Sequence, residues 1–206
     1  MQFHIGAIPS SPDFEPGEEW SKMKEPSAGR MQLYALPIAL LSGLVTGILW
    51  FAYTPLEWEN GSGLFGSSLS WADCAALFIL NIVVHEFVHA MAHPSQGRSS
   101  SSVLGCWPAK LLFYAHYTGE LSRNRFLVIL LLPLLVISGG PLLIAIALQS
   151  APDWLAYVSI LNAFLSAGDL FGSGIVLRQI PGTATVRNQG YFTFWKTPDQ
   201  ALQTAT

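Results

Sequence analysis

Charged residues are scarce in this chain, and their scarcity excludes most classes of soluble protein. Only 11% of the 206 residues are charged and 51% are hydrophobic, whereas roughly 25% are charged in soluble domains. The net charge of -3 includes no excess of basic residues, so we expect no nucleic-acid partner. Two cysteines, Cys74 and Cys106, are too few for a disulfide framework or a zinc finger. The composition predicts an integral membrane protein whose surroundings are the lipid bilayer.

Four apolar segments are long enough to cross a bilayer. A spanning helix needs about 20 residues, and the candidates are approximately residues 33–53, 69–93, 126–148 and 154–177. We therefore predict an all-α polytopic membrane protein, with about four transmembrane helices in one domain over residues 31–180. Residues 103–117 are rich in β-branched and aromatic side chains and are interrupted by Pro108, which predicts a short β-hairpin between helices 2 and 3.

The basic residues lie on one side of this four-helix arrangement. All ten Lys and Arg residues precede helix 1, lie between helices 2 and 3, or follow helix 4. By the positive-inside rule, both termini are then cytoplasmic. Residues 1–30 are polar and rich in proline, which predicts a mobile cytoplasmic tail rather than a cleavable signal peptide. Residues 181–206 are expected to form a second cytoplasmic tail.

Helix 1 contains Gly43 and Gly47 in a G-x-x-x-G spacing. Small residues at this spacing let another helix approach closely. The second helix could belong to the same chain or to another copy, so a homo-oligomer through Gly43 and Gly47 is one of two expectations.

The second apolar segment contains the pattern H-E-x-x-H, formed by His85, Glu86 and His89. Ionisable residues are expensive in hydrocarbon and are therefore candidates for function. On a helix, residues four apart share a face, so the two histidines can offer their nitrogens to one metal ion. Glu86 lies about 100° round the helix, where it can accept a proton from a metal-activated water. The alternative is a pair of structural histidines hydrogen-bonded within a helix bundle.

A catalytic zinc ion usually has three protein ligands, and helix 4 supplies the candidate. Asp169 is the only acidic residue deep in that helix. His85 and Asp169 are each about 15 residues from the outer ends of their helices, or roughly 22 Å deep. Asn162 shares the face of Asp169 approximately and is a weaker candidate for holding a ligand or a substrate carbonyl. His93 lies too far along helix 2 to join the first two histidines, and His116 is an open candidate for an extra ligand.

The arrangement of these residues is similar to two families of metallopeptidases. An H-E-x-x-H on one membrane helix with an aspartate from a later helix is similar to the site-2 proteases. The order H-E-x-x-H, hairpin region, proline-containing apolar helix and N-x6-G-D resembles more closely the small bacterial family labelled "putative zincin peptidase", over about residues 69–195. The resemblance implies zinc ligands at His85, His89 and Asp169. It also implies a catalytic Glu86 and a place in the bacterial cytoplasmic membrane.

Three functions are compatible with this sequence. The leading hypothesis is a zinc-dependent, membrane-embedded endopeptidase that hydrolyses peptide bonds of membrane or membrane-associated proteins. A non-catalytic metal-binding protein, either a pseudoprotease or a binder of client helices, would be favoured by a fourth protein ligand. An ion transporter would need a continuous polar path, but the outer halves of helices 2 and 4 have few ionisable groups. The chain also lacks the proline-aspartate-glycine motif and the regulatory peptide-binding domain of site-2 proteases.

Overall fold

The computed structural model describes residues 1–54 and 70–198. Within this part of the chain, the helices are α1 (Ala28–Tyr53), α2 (Trp71–Ala92), α3 (Arg123–Pro133), α4 (Gly140–Leu148), α5 (Asp153–Leu165) and α6 (Ala167–Gln179). The strands are β1 (Gln2–Ile5), β2 (Ser21–Lys22), β3 (Ser102–Trp107), β4 (Leu112–Tyr117), β5 (Leu121–Ser122), β6 (Thr185–Gln189) and β7 (Phe192–Lys196). The predicted loop between helices 1 and 2 and the last residues of the predicted C-terminal tail lie outside the described residues.

Three helical stretches are long and apolar enough to cross a membrane. They are α1, α2 and a rod in which the π-helical segment Leu134–Gly139 joins α3 to α4. The pair α5 and α6 meets the same criteria together but is bent by 42°. It coincides with the fourth predicted span, and its shape is that of a broken span or of a re-entrant loop. The hydroxyl of Ser166 lies at the bend and donates to the carbonyl of Asn162 at 2.8 Å, a contact that commonly bends helices.

Two small sheets correct the prediction of an all-α protein. One sheet has the order β1-β3-β4 and the other has the order β2-β7-β6-β5. The predicted hairpin is present as β3 and β4, with Val103 opposite His116. Strands β1, β2 and β5 escaped prediction because they are short and pair with partners distant in the sequence. Strands β6 and β7 pair with each other within the segment that was predicted to be a tail. Both β2 and β5 contain only two residues, too few to show an alternating pattern.

The N-terminal segment differs from the predicted mobile tail. Strand β1 pairs in parallel with β3, and β2 pairs with β7. Phe14 and Trp20 are buried, and their rings meet edge-on at 5.0 Å between centroids. Arg187 of β6 lies 4.3 Å above the Phe14 ring. Its prolines and acidic residues predicted disorder, but these aromatic contacts hold the segment on the second sheet. The C-terminal residues likewise form the β6–β7 hairpin.

The two glycines of α1 face α5 of the same chain. A Cβ atom added at Gly43 would lie 3.7 Å from Phe164, and one added at Gly47 would lie 3.8 Å from Ile160. The hydroxyl of Ser42 also donates to the carbonyl of Ala163 at 2.7 Å. The close approach predicted from the glycine spacing therefore occurs within the chain. A homo-oligomer through the same face stays a prediction.

A buried polar network joins α1, the π-helical segment and α5. The indole of Trp50 donates to the Ser159 hydroxyl at 2.8 Å. Ser159 and Ser138 each donate their hydroxyl to the other's carbonyl, both at 2.8 Å. Because hydrogen bonds in a low-dielectric interior are strong and directional, this network fixes the position of α5 relative to the α3–α4 rod.

Candidate metal centre

Helix α2 carries two buried histidines towards α6. The helix begins with a capping box, in which Ser70 accepts from the Asp73 backbone and Asp73 accepts from the Ser70 backbone. His85 and His89 lie about one turn apart on the same face, and their ring centroids are 4.7 Å apart. Asp169 lies in the first turn of α6, directly after the bend. The bend therefore directs the start of α6 at the histidine face of α2.

Three ligand-type atoms form a compact triangle. The Nε2 atom of His85 lies 3.1 Å from Nε2 of His89 and 3.1 Å from Oδ2 of Asp169. Nε2 of His89 lies 3.4 Å from the same carboxylate oxygen. Ligands about 2.0–2.1 Å from a tetrahedral zinc ion are roughly 3.3 Å from one another. The triangle thus has the dimensions of one face of a zinc coordination sphere.

The outer nitrogens of both histidines are held by carbonyl oxygens. Nδ1 of His85 lies 2.9 Å from Oδ1 of Asn162, and Nδ1 of His89 lies 2.7 Å from the Ile129 carbonyl. Because carbonyl oxygens only accept hydrogen bonds, the protons are assigned to Nδ1 and the lone pairs to Nε2. Two lone pairs and a carboxylate then face the same small space. This donor set, two neutral imidazoles and one carboxylate, fits Zn²⁺.

Asn162 is fully buried, and its amide group is oriented by other hydrogen bonds. Its Nδ2 donates to the Pro133 carbonyl at 3.0 Å and to the Ser138 hydroxyl at 2.9 Å. Those contacts leave Oδ1 to accept from His85. Both acceptors border or belong to the π-helical segment, so this irregular turn helps to fix the orientation of a histidine ring. Such turns occur often at functional sites.

Glu86 is adjacent to the triangle but does not belong to it. The three residues whose ligand atoms lie within 4.8 Å of one another are His85, His89 and Asp169. The carboxylate of Glu86 instead accepts a hydrogen bond from the backbone of Ala115 in β4. Glu86 therefore stands between the candidate metal ligands and the edge strand of the first sheet.

Two cavities meet at Glu86. The first has a volume of about 450 Å³ and is lined mainly by apolar residues of α1, of the α5–α6 bend and of the β3–β4 hairpin tip, together with Ile82 and His85 of α2. The second has a volume of about 270 Å³ and is lined by β4 and the second sheet, together with His89 and Asp169. Both cavities are mainly apolar: the first is bordered by helices and the hairpin tip, and the second by both sheets together with α3 and α6.

Two further histidines that the sequence analysis considered as ligands, His93 and His116, lie outside the triangle. Nδ1 of His93 is 3.2 Å from the Ser102 hydroxyl, and Nε2 of His116 has no hydrogen-bond partner within the described residues. Burial lowers the pKa of each histidine to about 4. His116, an open candidate for an extra ligand, is not among the three residues that could hold a metal.

Sequence reasoning named Asn162 as a candidate for holding a ligand, but it missed the Ile129 carbonyl and the Ser138 hydroxyl. The Ile129 carbonyl is a backbone group, and no sequence pattern marks which carbonyl faces a histidine. The Ser138 hydroxyl had one signal, because a polar residue before two glycines in an apolar helix indicates close packing. Its partner could not be named from that signal.

The helical fold and this site are compatible with one class of protein. Two histidines of an H-E-x-x-H helix, an aspartate from a separate helix and an adjacent glutamate are the side chains that a metallopeptidase centre of this kind would use. A family model described as "Putative zincin peptidase" matches residues 78–185, just over half of the chain. The chain belongs to this family, and the prediction of the family is confirmed. No curated protein and no solved structure matches the chain.

Proposed function

We propose that this protein is a zinc-dependent, membrane-embedded endopeptidase that acts on membrane or membrane-associated proteins. The observation that carries the proposal is the triangle of His85, His89 and Asp169 with Glu86 beside it. Within the described residues three side chains could hold the ion, which leaves a fourth position open, as is typical of catalytic rather than structural zinc. The open position favours the peptidase over the non-catalytic metal binder.

In this mechanism the side chains have distinct tasks. Zinc, when bound, supplies Lewis-acid chemistry that acidifies a water and polarises a carbonyl. Asn162 and the Ile129 carbonyl keep the ligand rings in one orientation and one tautomer. Glu86 accepts the proton of the attacking water and returns it to the leaving amine. The Ala115 amide orients the Glu86 carboxylate towards that exchange.

Strand β4 supports the binding of an extended substrate backbone. It is an edge strand in the order β1-β3-β4, and Phe113, Tyr114 and Ala115 line the second cavity beside Glu86. An exposed strand edge can pair with an added peptide strand. The substrate backbone would then pass Glu86 and the metal ligands in an extended form, which exposes one peptide bond to attack.

The larger cavity supports access from the bilayer. Its walls include Ala35 and Ala39 of α1 and Ile82 of α2, and it reaches His85 and Glu86. An apolar passage between two membrane-crossing helices suits a segment of a membrane protein better than a water-soluble peptide. Water would reach Glu86 through the second cavity, on the side of the sheets.

The sheets also bear on the orientation of the chain. They pair the N-terminal segment with the α2–α3 connection and with the C-terminal segment, so these three regions lie together. Such pairing requires an even number of crossings between them. This supports one broken span made of α5 and α6, with both termini on one side. All ten basic residues lie in or beside these regions, which supports a cytoplasmic location for that side.

Replacing Glu86 with Gln tests the mechanism. The variant should keep about one zinc per chain, because Glu86 is outside the ligand triangle, and lose at least about 100-fold in peptide hydrolysis. Zinc is measured by elemental analysis of detergent-purified protein. Hydrolysis is followed by mass spectrometry on β-casein and on a mixture of detergent-solubilised membrane proteins. Glu120→Gln, at an exposed glutamate, is the matched control. Hydrolysis by Glu86→Gln at the native rate would exclude the mechanism.

A further inference from the structure

The second cavity contains an acidic residue that the proposed mechanism does not use. Glu25 lies just before α1 and lines this cavity together with Glu86 and Asp169. It belongs to the N-terminal segment, which packs on the second sheet. The catalytic cavity is therefore bordered on one side by a carboxylate that neither ligates the candidate metal nor transfers its proton.

The Glu25 carboxylate is held in place by hydrogen bonds rather than by an ion pair. It accepts a hydrogen bond from the Thr193 backbone at 2.7 Å, and its other oxygen lies 3.5 Å from the Thr193 hydroxyl. Within the described ranges no basic side chain forms an ion pair with it. The nearby Lys22 ammonium instead lies 3.3 Å from the centroid of the Phe192 ring.

The surroundings of Glu25 are those of a partly desolvated carboxylate. Burial raises the pKa of Glu25 to about 7, against the lowering effects of its hydrogen bonds to Thr193 and of the nearby Lys22 charge. The Tyr191 hydroxyl, also in the cavity wall, is committed to the Pro26 carbonyl at 2.8 Å. A buried acid that lacks a cation gains most from a ligand that brings one.

We propose that Glu25 forms a subsite for the side chain of a lysine or arginine in the peptide substrate. The cavity supplies apolar and aromatic surface for the methylene stem of such a side chain, from Met23, Met31, Phe113 and Tyr191. A divalent metal fits less well, because it needs several oxygen ligands and Thr193 presents hydrogen-bond donors to the carboxylate. This inference adds a substrate preference to the proposed function. It rests on that function, because the ligand is taken to be a peptide on the ground that the protein is a peptidase.

A binding measurement tests the subsite without requiring hydrolysis. The protein is zinc-loaded Glu86→Gln in detergent, and the probes are fluorescein-labelled, apolar eleven-residue peptides. One lysine is moved through every position of the peptide, and norleucine and acetyl-lysine versions provide uncharged counterparts. Fluorescence anisotropy should show the lysine peptide binding about tenfold more tightly than both counterparts at one or two positions. Equal affinities at every position, or no binding of any peptide, would overturn the subsite.

Variants then assign the preference to Glu25. Adding Glu25→Gln should remove the difference between lysine and norleucine peptides, and Glu25→Lys should transfer the preference to a glutamate peptide. Glu120→Gln should leave the preference unchanged. A lysine preference that survives Glu25→Gln would overturn the assignment. If one of these two variants fails to fold, the other decides the assignment to Glu25.

Hydrolysis of the same peptides by the native protein separates this inference from the proposed function. Cleavage with equal efficiency for lysine and norleucine peptides, together with equal binding, would leave the peptidase standing and overturn the subsite. Tight, lysine-selective and Glu25-dependent binding without any cleavage would support the subsite and overturn the peptidase. Cleavage enhanced about tenfold by lysine, and lost in Glu25→Gln, supports both.

Discussion

Two pairs of buried histidines lie within one region of this molecule, and only one pair has the surroundings of a metal site. His85 and His89 each have one nitrogen held by a carbonyl oxygen and the other facing Asp169. His93 contacts the Ser102 hydroxyl, and Nε2 of His116 has no hydrogen-bond partner among residues 1–54 and 70–198. All four rings are similarly buried. The first pair differs in two ways: a carbonyl oxygen accepts the Nδ1 hydrogen of each ring, and the Asp169 carboxylate faces the Nε2 lone pairs.

Sequence spacing alone could not separate these histidines. His85, His89 and His93 follow one another at intervals of four, which places successive pairs on one helical face. Helix α2 ends at Ala92, however, and the backbone of His93 is already extended. The third ring therefore leaves the line of the first two and packs against β3 and Tyr117.

The largest expected effect comes from removing the carboxylate or a ligand ring. Asp169→Ala and His85→Ala should each reduce bound zinc from about one per chain to less than about 0.2, because a catalytic site with two ligands is incomplete. His93→Ala should keep about one zinc per chain. Elemental analysis of detergent-purified protein measures all three. If Asp169→Ala retained its zinc, Asp169 would not be the third ligand, and the metal would have to be held at a different site.

A smaller effect should follow from removing the group that orients His85. Asn162→Ala leaves the His85 Nδ1 hydrogen and the Pro133 carbonyl without their partner, and we expect zinc affinity to fall about 10- to 100-fold. Competition with a chelator of known affinity measures the change.

Asn81→Ala is the matched control for this variant. Asn81 is a buried asparagine of the same helix, one turn before His85, and it donates to the Val158 carbonyl of α5 at 2.9 Å. Its loss should lower thermal stability without changing zinc affinity. Equal losses of affinity in the two variants would show that Asn162 acts only through helix packing.

The parts of this protein that sequence could predict are those encoded by local periodicity. Apolar runs predicted the helices. The equal depth of His85 and Asp169 in their helices predicted that the two side chains would approach each other, and His85 Nε2 lies 3.1 Å from Asp169 Oδ2. The hairpin was predicted from its β-branched and aromatic composition. Each of these signals lies within one short stretch of chain.

The remaining features depend on partners far along the chain. Strand β1 forms only against β3, and β2 only against β7, so their residues carry no sufficient local signal. The same is true of Glu25, whose hydrogen bond to Thr193 spans 168 positions. The prolines before α1 predicted disorder because the burial of Phe14 and Trp20 depends on a sheet formed mostly by the C-terminal segment.

The second pair of histidines should make the protein sensitive to acid. The pKa of His93 and of His116 is lowered to about 4 in the folded protein, whereas an unfolded histidine titrates near about 6.5. Between these values the unfolded chain binds more protons, so stability is complete above about pH 6.5 and falls as pH decreases towards 4. Each ring should contribute roughly 3 kcal/mol to this loss by pH 4.

Replacing His116 with Leu should make that pH dependence shallower. The substitution removes one of the two titrating rings and also an unpaired buried nitrogen, so stability at pH 7.5 should be unchanged or slightly higher. Thermal unfolding in detergent between pH 7.5 and 4.5, with chelator present so that zinc release does not contribute, measures the difference. His4→Leu, at an exposed histidine of β1, is the control and should follow the native curve. If His116→Leu loses stability as steeply as the native protein, the acid sensitivity belongs to other groups, and the contrast between the two histidine pairs would lie only in metal binding.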